Sequence, residues 1–309
     1  MLGRLGWTVD KCIEVFTKSS ADIFKSSATG QSANITSKSF KYSASTLETV
    51  IKEVVKDEGM QDRNPDHCPA YAYFPSQAHP SWLKDNLSFR FVVAVDKNDV
   101  NGPPVIFRTY PAKDPSEVSR KTSNSYVWQA CCATSAAPSY FPPFVMESYT
   151  FLDGGMGHNN PVFEAVAEAS HLTSSRQPVE CLVSIGTGTP GNKVIAVGQK
   201  ALKKLARTAH VQDAFLAVST DAEKAHQDMA KTAKNSAFHY LRFNPPGGDR
   251  VKIDHAQEMG NLTKIVNDYL RGQEALHTVK VCANILAPST VSSSVSIIDI
   301  LVESLSFIL

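Results

Sequence analysis

The sequence predicts an α/β fold with a sheet between helices, and three observations carry that prediction. Apolar residues first recur at helical spacing, then give way to β-branched and aromatic runs punctuated by Pro and Gly, then return to helical spacing. Val179 to Ile185, between Pro178 and Gly186, is mostly apolar and reads as a strand buried on both faces. A chain of 309 residues can bury a substantial core, and one main domain is the default.

The elements follow in order. Thr8 is placed to cap a first helix whose Val9, Cys12, Ile13 and Phe16 share one face. After a polar, Ser-rich stretch from Ser26 to Ser45, Leu47, Val50, Ile51 and Val54 repeat the spacing and predict a second helix. Leu87 to Val95, the turn-forming Asn98 to Pro104 and Val105-Ile106-Phe107 form the pattern of a β-hairpin. Tyr126 to Ala137 predicts an Ala-rich helix that stops before Pro138 and Pro142-Pro143, leaving Ser139-Tyr140-Phe141 in a tight loop. A short strand ending at Leu152 leads into an Asp153 loop. A helix from Pro161 to about His171 comes next, with Asn160 as its cap. Beyond the buried strand, helices are expected near Ala201 to Thr208, Asp213 to Lys234 and His255 to Ala287. Between the second and third of them, a strand at His239 to Phe243 is closed by Asn244-Pro245-Pro246-Gly247-Gly248. Ser289 to Ser294 reads as a linker to an amphipathic helix over Val295 to Leu309, with Asp299, Glu303 and Ser306 on one face. That helix is too short to span a bilayer, and packing on the domain is favoured over lying on a membrane surface.

Composition excludes several classes of partner. The 31 basic and 30 acidic residues produce no extended field to draw in nucleic acid or an anionic membrane. Six cysteines, several inside apolar runs such as Cys181-Leu182-Val183, have no repeated pair spacing and read as reduced and buried. Neighbouring Cys131 and Cys132 would make a strained disulfide, so neither a redox pair nor a metal site is expected there. The N-terminus lacks the apolar core of a secretory signal.

Chemistry concentrates in Phe151-Leu152-Asp153-Gly154-Gly155-Met156-Gly157-His158-Asn159-Asn160-Pro161. A carboxylate that deprotonates a nucleophile must be fixed within hydrogen-bond reach, and glycines beside it let other backbone approach. Asp153 therefore reads as a catalytic base, although Asp-Gly by itself is a common turn signal. His158 reads as a loop or capping residue rather than a triad member. Ser184 has a following glycine but none two residues before it, so it reads as structural. Gly186-Thr187-Gly188 lacks the ending of a phosphate loop and reads as a strand-to-loop turn. Ser135 and Ser139 read as structural, and Tyr140-Phe141 as packing under the aspartate loop.

Around that motif stand Trp128-Gln129-Ala130, Ala133 to Pro143, Asn159-Asn160-Pro161, Ser184 to Gly188 and the hairpin containing Asn101-Gly102-Pro103-Pro104. In order and spacing these blocks resemble patatin-like phospholipase domains over roughly residues 1–245. The resemblance implies a three-layer α/β/α sandwich with a mostly parallel central sheet. It also implies a lipid acyl hydrolase that uses a Ser-Asp dyad and no cofactor or metal, with Asp153 as the dyad aspartate in the motif Asp153, Gly154, Gly155. A lipid acyl ester is the implied substrate, at a cytoplasmic location with peripheral membrane contact left open and no transmembrane helix. The family's Gly-rich oxyanion loop and G-x-S-x-G elbow have no counterpart in these residues. By the resemblance they precede Met1, so the sheet is expected to miss its N-terminal strands, and the chain to lack a nucleophile and be inactive alone. A non-catalytic lipid- or protein-binding remnant, or a fragment of a larger signalling protein, is the alternative. The expected spans are a hydrolase domain at 1–245, a helical extension at 246–288, and the linker and terminal helix at 289–309.

Overall fold

The computed structural model describes residues 8–25, 40–57, 90–108, 110, 122, 125–138, 140–172, 179–189, 211–248, 254–255, 258–286 and 300–303. Met1 to Trp7, most of the Ser26 to Ser45 stretch, Cys68, Ser139, the helix expected near Ala201 to Thr208 and the Ser289 to Ser294 linker lie outside these residues. The chain forms two compact units: Met1–Gly157 with Lys204–Val211 and Leu305–Leu309, and His158–Lys203 with Gln212–Ser304.

In the first unit, helix α1 (Val9–Ile23) begins where the sequence places it, the Thr8 hydroxyl accepting from the Lys11 N–H at 3.3 Å. Only the C-terminal end of its apolar face is buried, at Ile23, whereas Val9 and Ile13 are exposed. Helix α2 (Ala44–Asp57) buries Leu47, Ile51 and Val55. The hairpin forms from β1 (Phe91–Asp96) and β2 (Val105–Arg108), with Ala94 opposite Val105. Helix α3 (Val127–Thr134), β3 (Phe144–Met146) and β4 (Tyr149–Asp153) follow. The sheet runs β2-β1-β4-β3, and each neighbouring pair is antiparallel.

Helix α3 is apolar apart from Gln129 and Thr134, and none of its residues is exposed, so it is covered on more than one side. Ala130 and Ala133 face the sheet residues Ala94, Phe107 and Phe151. Cys132 instead joins Leu47 and Ile51 of α2, and Tyr140 and Phe141 of the following loop. The alternation of strand side chains sends Val95 and Leu152 to the opposite face, where they pack with Met156. The sheet is thus buried on both faces where β4 ends.

The second unit holds helix α4 (Val162–Leu172), β5 (Cys181–Ile185), helix α5 (Val211–Lys234), β6 (His239–Phe243), helices α6 (Met259–Leu270) and α7 (Gln273–Leu286), and β7 (Ile300–Glu303). β5 is the central strand of a parallel sheet ordered β6-β5-β7, as expected for a run without polar alternation. The α/β class holds, and parallel pairing among the described strands is confined to this sheet. The helix expected from His255 to Ala287 is two helices, interrupted at Arg271-Gly272.

The C-terminal segment corrects the sequence reading. Where an amphipathic helix was expected over Val295 to Leu309, Ile300–Glu303 is a strand, with Leu182 opposite Ile300 and Ile185 opposite Glu303. Val295, Ile297, Ile298, Ile300 and Val302 make the segment dense in β-branched residues, which favour strand over helix. The edge of β5 also offers a ladder of backbone hydrogen bonds that the polar spacing could not reveal.

Phe151 is fully buried and packs edge-to-face on Phe107 at 5.4 Å. Phe151→Ala is expected to lower the unfolding free energy by about 3–5 kcal/mol, measured as a shift in the urea midpoint.

Candidate active site

Asp153 is the last residue of β4 rather than a loop residue, paired in register with Ala94 of β1. Its N–H donates to the Ala136 carbonyl at 3.1 Å, beyond the C-terminus of α3, so strand and helix end fix its backbone together. The side chain is 2% exposed. Its Oδ1 accepts the Gly155 N–H at 2.6 Å.

The two glycines have separate roles. A Cβ on Gly154 would lie 2.3 Å from the Val93 carbonyl oxygen, so β1 and the backbone after Asp153 approach as closely as only glycine allows. The Thr134 hydroxyl donates to that same carbonyl at 2.6 Å, tying the end of α3 to the same point of β1. Gly155 contributes its N–H to the carboxylate. The approach that the sequence suggested therefore exists, with a neighbouring strand in place of another loop.

Burial pushes the Asp153 pKa well above the ordinary carboxylate range, and the Gly155 hydrogen bond opposes the rise without cancelling it. A carboxylate raised in this way is a stronger proton acceptor once ionised, the property a general base requires.

The other polar residues of the motif are engaged elsewhere. His158 Nδ1 lies 2.7 Å from Glu164 Oε1, in agreement with a structural role. Ser184 is fully buried within β5, where its hydroxyl donates to Asn160 Oδ1 at 3.0 Å and accepts from Arg242 at 2.7 Å. Asn160 does not cap α4 with its side chain, because that side chain faces Ser184 and donates to the Ala222 carbonyl. Gly186 to Thr189 forms a strand-to-loop turn whose amides are taken by the β6 side: Gly186 N–H by Phe243, Gly188 N–H by Asn244 Oδ1 and Thr189 N–H by Pro245. Ser135 ends α3. Tyr140 and Phe141 do not pack under the aspartate loop; their rings lie against Tyr42, and Phe141 also against Phe24.

Arg242, Glu223 and Asn244 were not foreseen from the sequence. Arg242 donates to both Ser184 and Glu223, and Asn244 donates to Glu223 at 2.8 Å, so one partly buried polar network joins β5, β6 and α5. The available signal was a charged residue in the middle of the strand His239-Tyr240-Leu241-Arg242-Phe243. Cys131 and Cys132 are free, and burial raises both thiol pKa values, leaving them poor nucleophiles. Among the described residues no group of three His, Cys, Asp or Glu could hold a metal ion. Nor is any described helix long and apolar enough to cross a membrane.

A family model described as patatin-like phospholipase matches residues 5–166, more than half of the chain and inclusive of Asp153, Gly154 and Gly155. The chain belongs to the patatin-like phospholipase family. Among curated relatives of this patatin-like chain, calcium-independent phospholipase A2-gamma from Oryctolagus cuniculus is 27% identical over 293 residues, covering 93% of this chain and 34% of the relative. The protein of that name from Mus musculus is 25% identical over 84% of this chain and 30% of its own length. Phospholipase A I from Arabidopsis thaliana is 33% identical over 120 residues, 38% of this chain and 9% of the relative. The chain thus spans about a third of the length of the first of these relatives.

Two substitutions test the geometry. Gly154→Ala forces β1 and the Asp153 turn apart and is expected to cost about 1–3 kcal/mol in chemical denaturation. Asp153→Asn keeps an oxygen for the Gly155 N–H but removes the buried charge. Because the folded pKa is raised, the folded chain holds a proton that the unfolded chain releases, and stability falls as pH rises from the ordinary carboxylate range through the raised value. The Asn variant is expected to melt about 2–4 °C higher at neutral pH and to lose that fall. An unchanged pH dependence in thermal melts would show that Asp153 is not the group responsible.

Proposed function

We propose that this chain carries the aspartate half of a Ser-Asp dyad that hydrolyses lipid acyl esters, with a phospholipid as the substrate class. The observation that carries the reading is Asp153: a buried carboxylate at a strand end, held by one backbone N–H and raised in pKa by burial. Membership of the patatin-like phospholipase family and the phospholipase names of the relatives support it.

In the proposed reaction a serine hydroxyl gives its proton to Asp153 as its oxygen attacks the acyl carbonyl carbon. The tetrahedral intermediate then expels the lysolipid alkoxide, which takes the proton back. Water, deprotonated by the same carboxylate, cleaves the acyl-enzyme. No imidazole is needed, which fits His158 being engaged with Glu164.

None of the 309 residues forms a G-x-S-x-G run, so the chain taken alone is proposed to be inactive. Residues 1–245 are the proposed hydrolase portion and 246–288 a helical extension. A reducing, cytoplasmic setting, with the lipid met at a membrane periphery, belongs to the same proposal. The five cysteines among the described residues are thiols rather than disulfides, which supports the reducing setting.

A fluorophosphonate serine probe is expected to leave the purified chain without Asp153-dependent labelling. If the coding DNA upstream of Met1 reads G-x-S-x-G in frame, the extended chain is expected to take the probe and cleave phosphatidylcholine vesicles. Asp153→Asn should then slow that cleavage by about 10³–10⁴-fold. Labelling of the 309-residue chain that depends on Asp153 refutes its inactivity, and a closed upstream frame favours a non-catalytic lipid- or protein-binding module.

A further inference from the structure

β1 and β4 are paired as far as Ala94 and Asp153, and Val93 lies one residue past that last pair. Gly154 and Gly155, which follow the carboxylate, therefore leave the ladder where their backbone has to be held. A side chain meets them there. The Thr134 hydroxyl donates to the Val93 carbonyl at 2.6 Å, and two residues on, the Ala136 carbonyl accepts the Asp153 N–H at 3.1 Å. The end of α3 thus grips both strands, with one bond to each.

Only one of these bonds depends on the residue type. Any residue at position 136 would offer a carbonyl, whereas a side chain without a donor at position 134 would take this partner from the Val93 carbonyl. That carbonyl oxygen is also the atom that a Cβ on Gly154 would meet first. Movement of Val93 is therefore passed to Gly154 and on to the Gly155 N–H, 2.6 Å from Asp153 Oδ1. Ala133, beside Thr134, is fully buried in one cluster with Ala94 and Phe151, so the helix end has little slack of its own.

We infer that Thr134 is a positioning residue for the Asp153 base: through Val93 and Gly154, its hydroxyl keeps the carboxylate dry and aimed at the Gly155 N–H. The inference rests on the reading of Asp153 as a general base. Other titratable or charged side chains on the surrounding elements are engaged elsewhere. Asp96 of β1 accepts the Asn98 N–H, Arg108 of β2 donates to the Ile106 carbonyl, and Tyr149 of β4 stacks on Phe151. Cys131 and Cys132 of α3 pack in the α2 cluster, and His158 holds Glu164.

The test follows the Gly155 amide proton of the full 309-residue chain by proton–nitrogen NMR across pH, because an N–H this close to a carboxylate shifts when the carboxylate ionises. The parent chain is expected to titrate above the ordinary carboxylate range, and Asp153→Asn to abolish the titration. Thr134→Val, which lacks the donor, should lower the midpoint by about one pH unit or more as water reaches the carboxylate. Thr134→Ser should keep the parent midpoint. Val55→Ala, which removes buried methyl groups from α2 in the same unit, should also leave it in place. A valine midpoint equal to the parent's, a serine midpoint that falls with it, or an equal fall in Val55→Ala overturns the positioning role. If the valine chain does not fold, Thr134→Ala takes its place. If neither folds while the serine chain does, the hydroxyl serves stability alone and the proposal fails. A parent chain whose Gly155 amide shows no Asp153-dependent titration sinks the base reading itself, and this inference with it.

Discussion

Burial of the Asp153 carboxylate beside a single strong donor is the constraint on which the first unit depends. Removing an ionised carboxylate from water is costly, and one backbone hydrogen bond does not compensate for it. The surrounding structure has to hold the group in place by packing. It does so through the β1–β4 register, the Ala136 carbonyl, the Thr134–Val93 hydrogen bond and a helix whose small residues press on Phe107 and Phe151. Loosening any of these would admit water to the carboxylate and return it toward an ordinary acid, a weaker base.

The second unit instead gathers several polar groups and pairs them with one another, with Arg242 Nε alone among the network's described atoms left buried and without a partner. Ser184, Asn160, Arg242, Glu223 and Asn244 each find partners in one network, and the charge of Arg242 is balanced by Glu223 at 3.2 Å. Such a network is demanding of register, because a one-residue slip of β6 would leave an arginine buried without acceptors.

What the sequence disclosed follows from how local each feature is. The α1 cap, the α2 stripe, the hairpin and the buried β5 run are written in residues a few positions apart, where periodicity and turn chemistry act. Asp153 was legible for the same reason, as an aspartate between an apolar strand and two glycines. Its burial, and the identity of the backbone that Gly154 admits, were not, because Val93 lies 61 residues before Gly154 in the chain. The polar network joins positions up to 84 apart, from Asn160 to Asn244, and no local pattern announces it. The C-terminal strand is not legible because a short apolar segment with polar residues at spacings of four and three satisfies a helix as well as a strand. Only the partner beside it decides which forms.

The border between the two compact units falls between Gly157 and His158, inside the motif that first drew notice. Gly157 has φ 114°, and the space where its side chain would project is open for 4 Å. On one side of the border Asp153 keeps its bond to Gly155, and on the other His158 keeps Glu164 while Asn160 keeps Ser184. This makes position 157 the natural cut for a circular permutant or a split reporter.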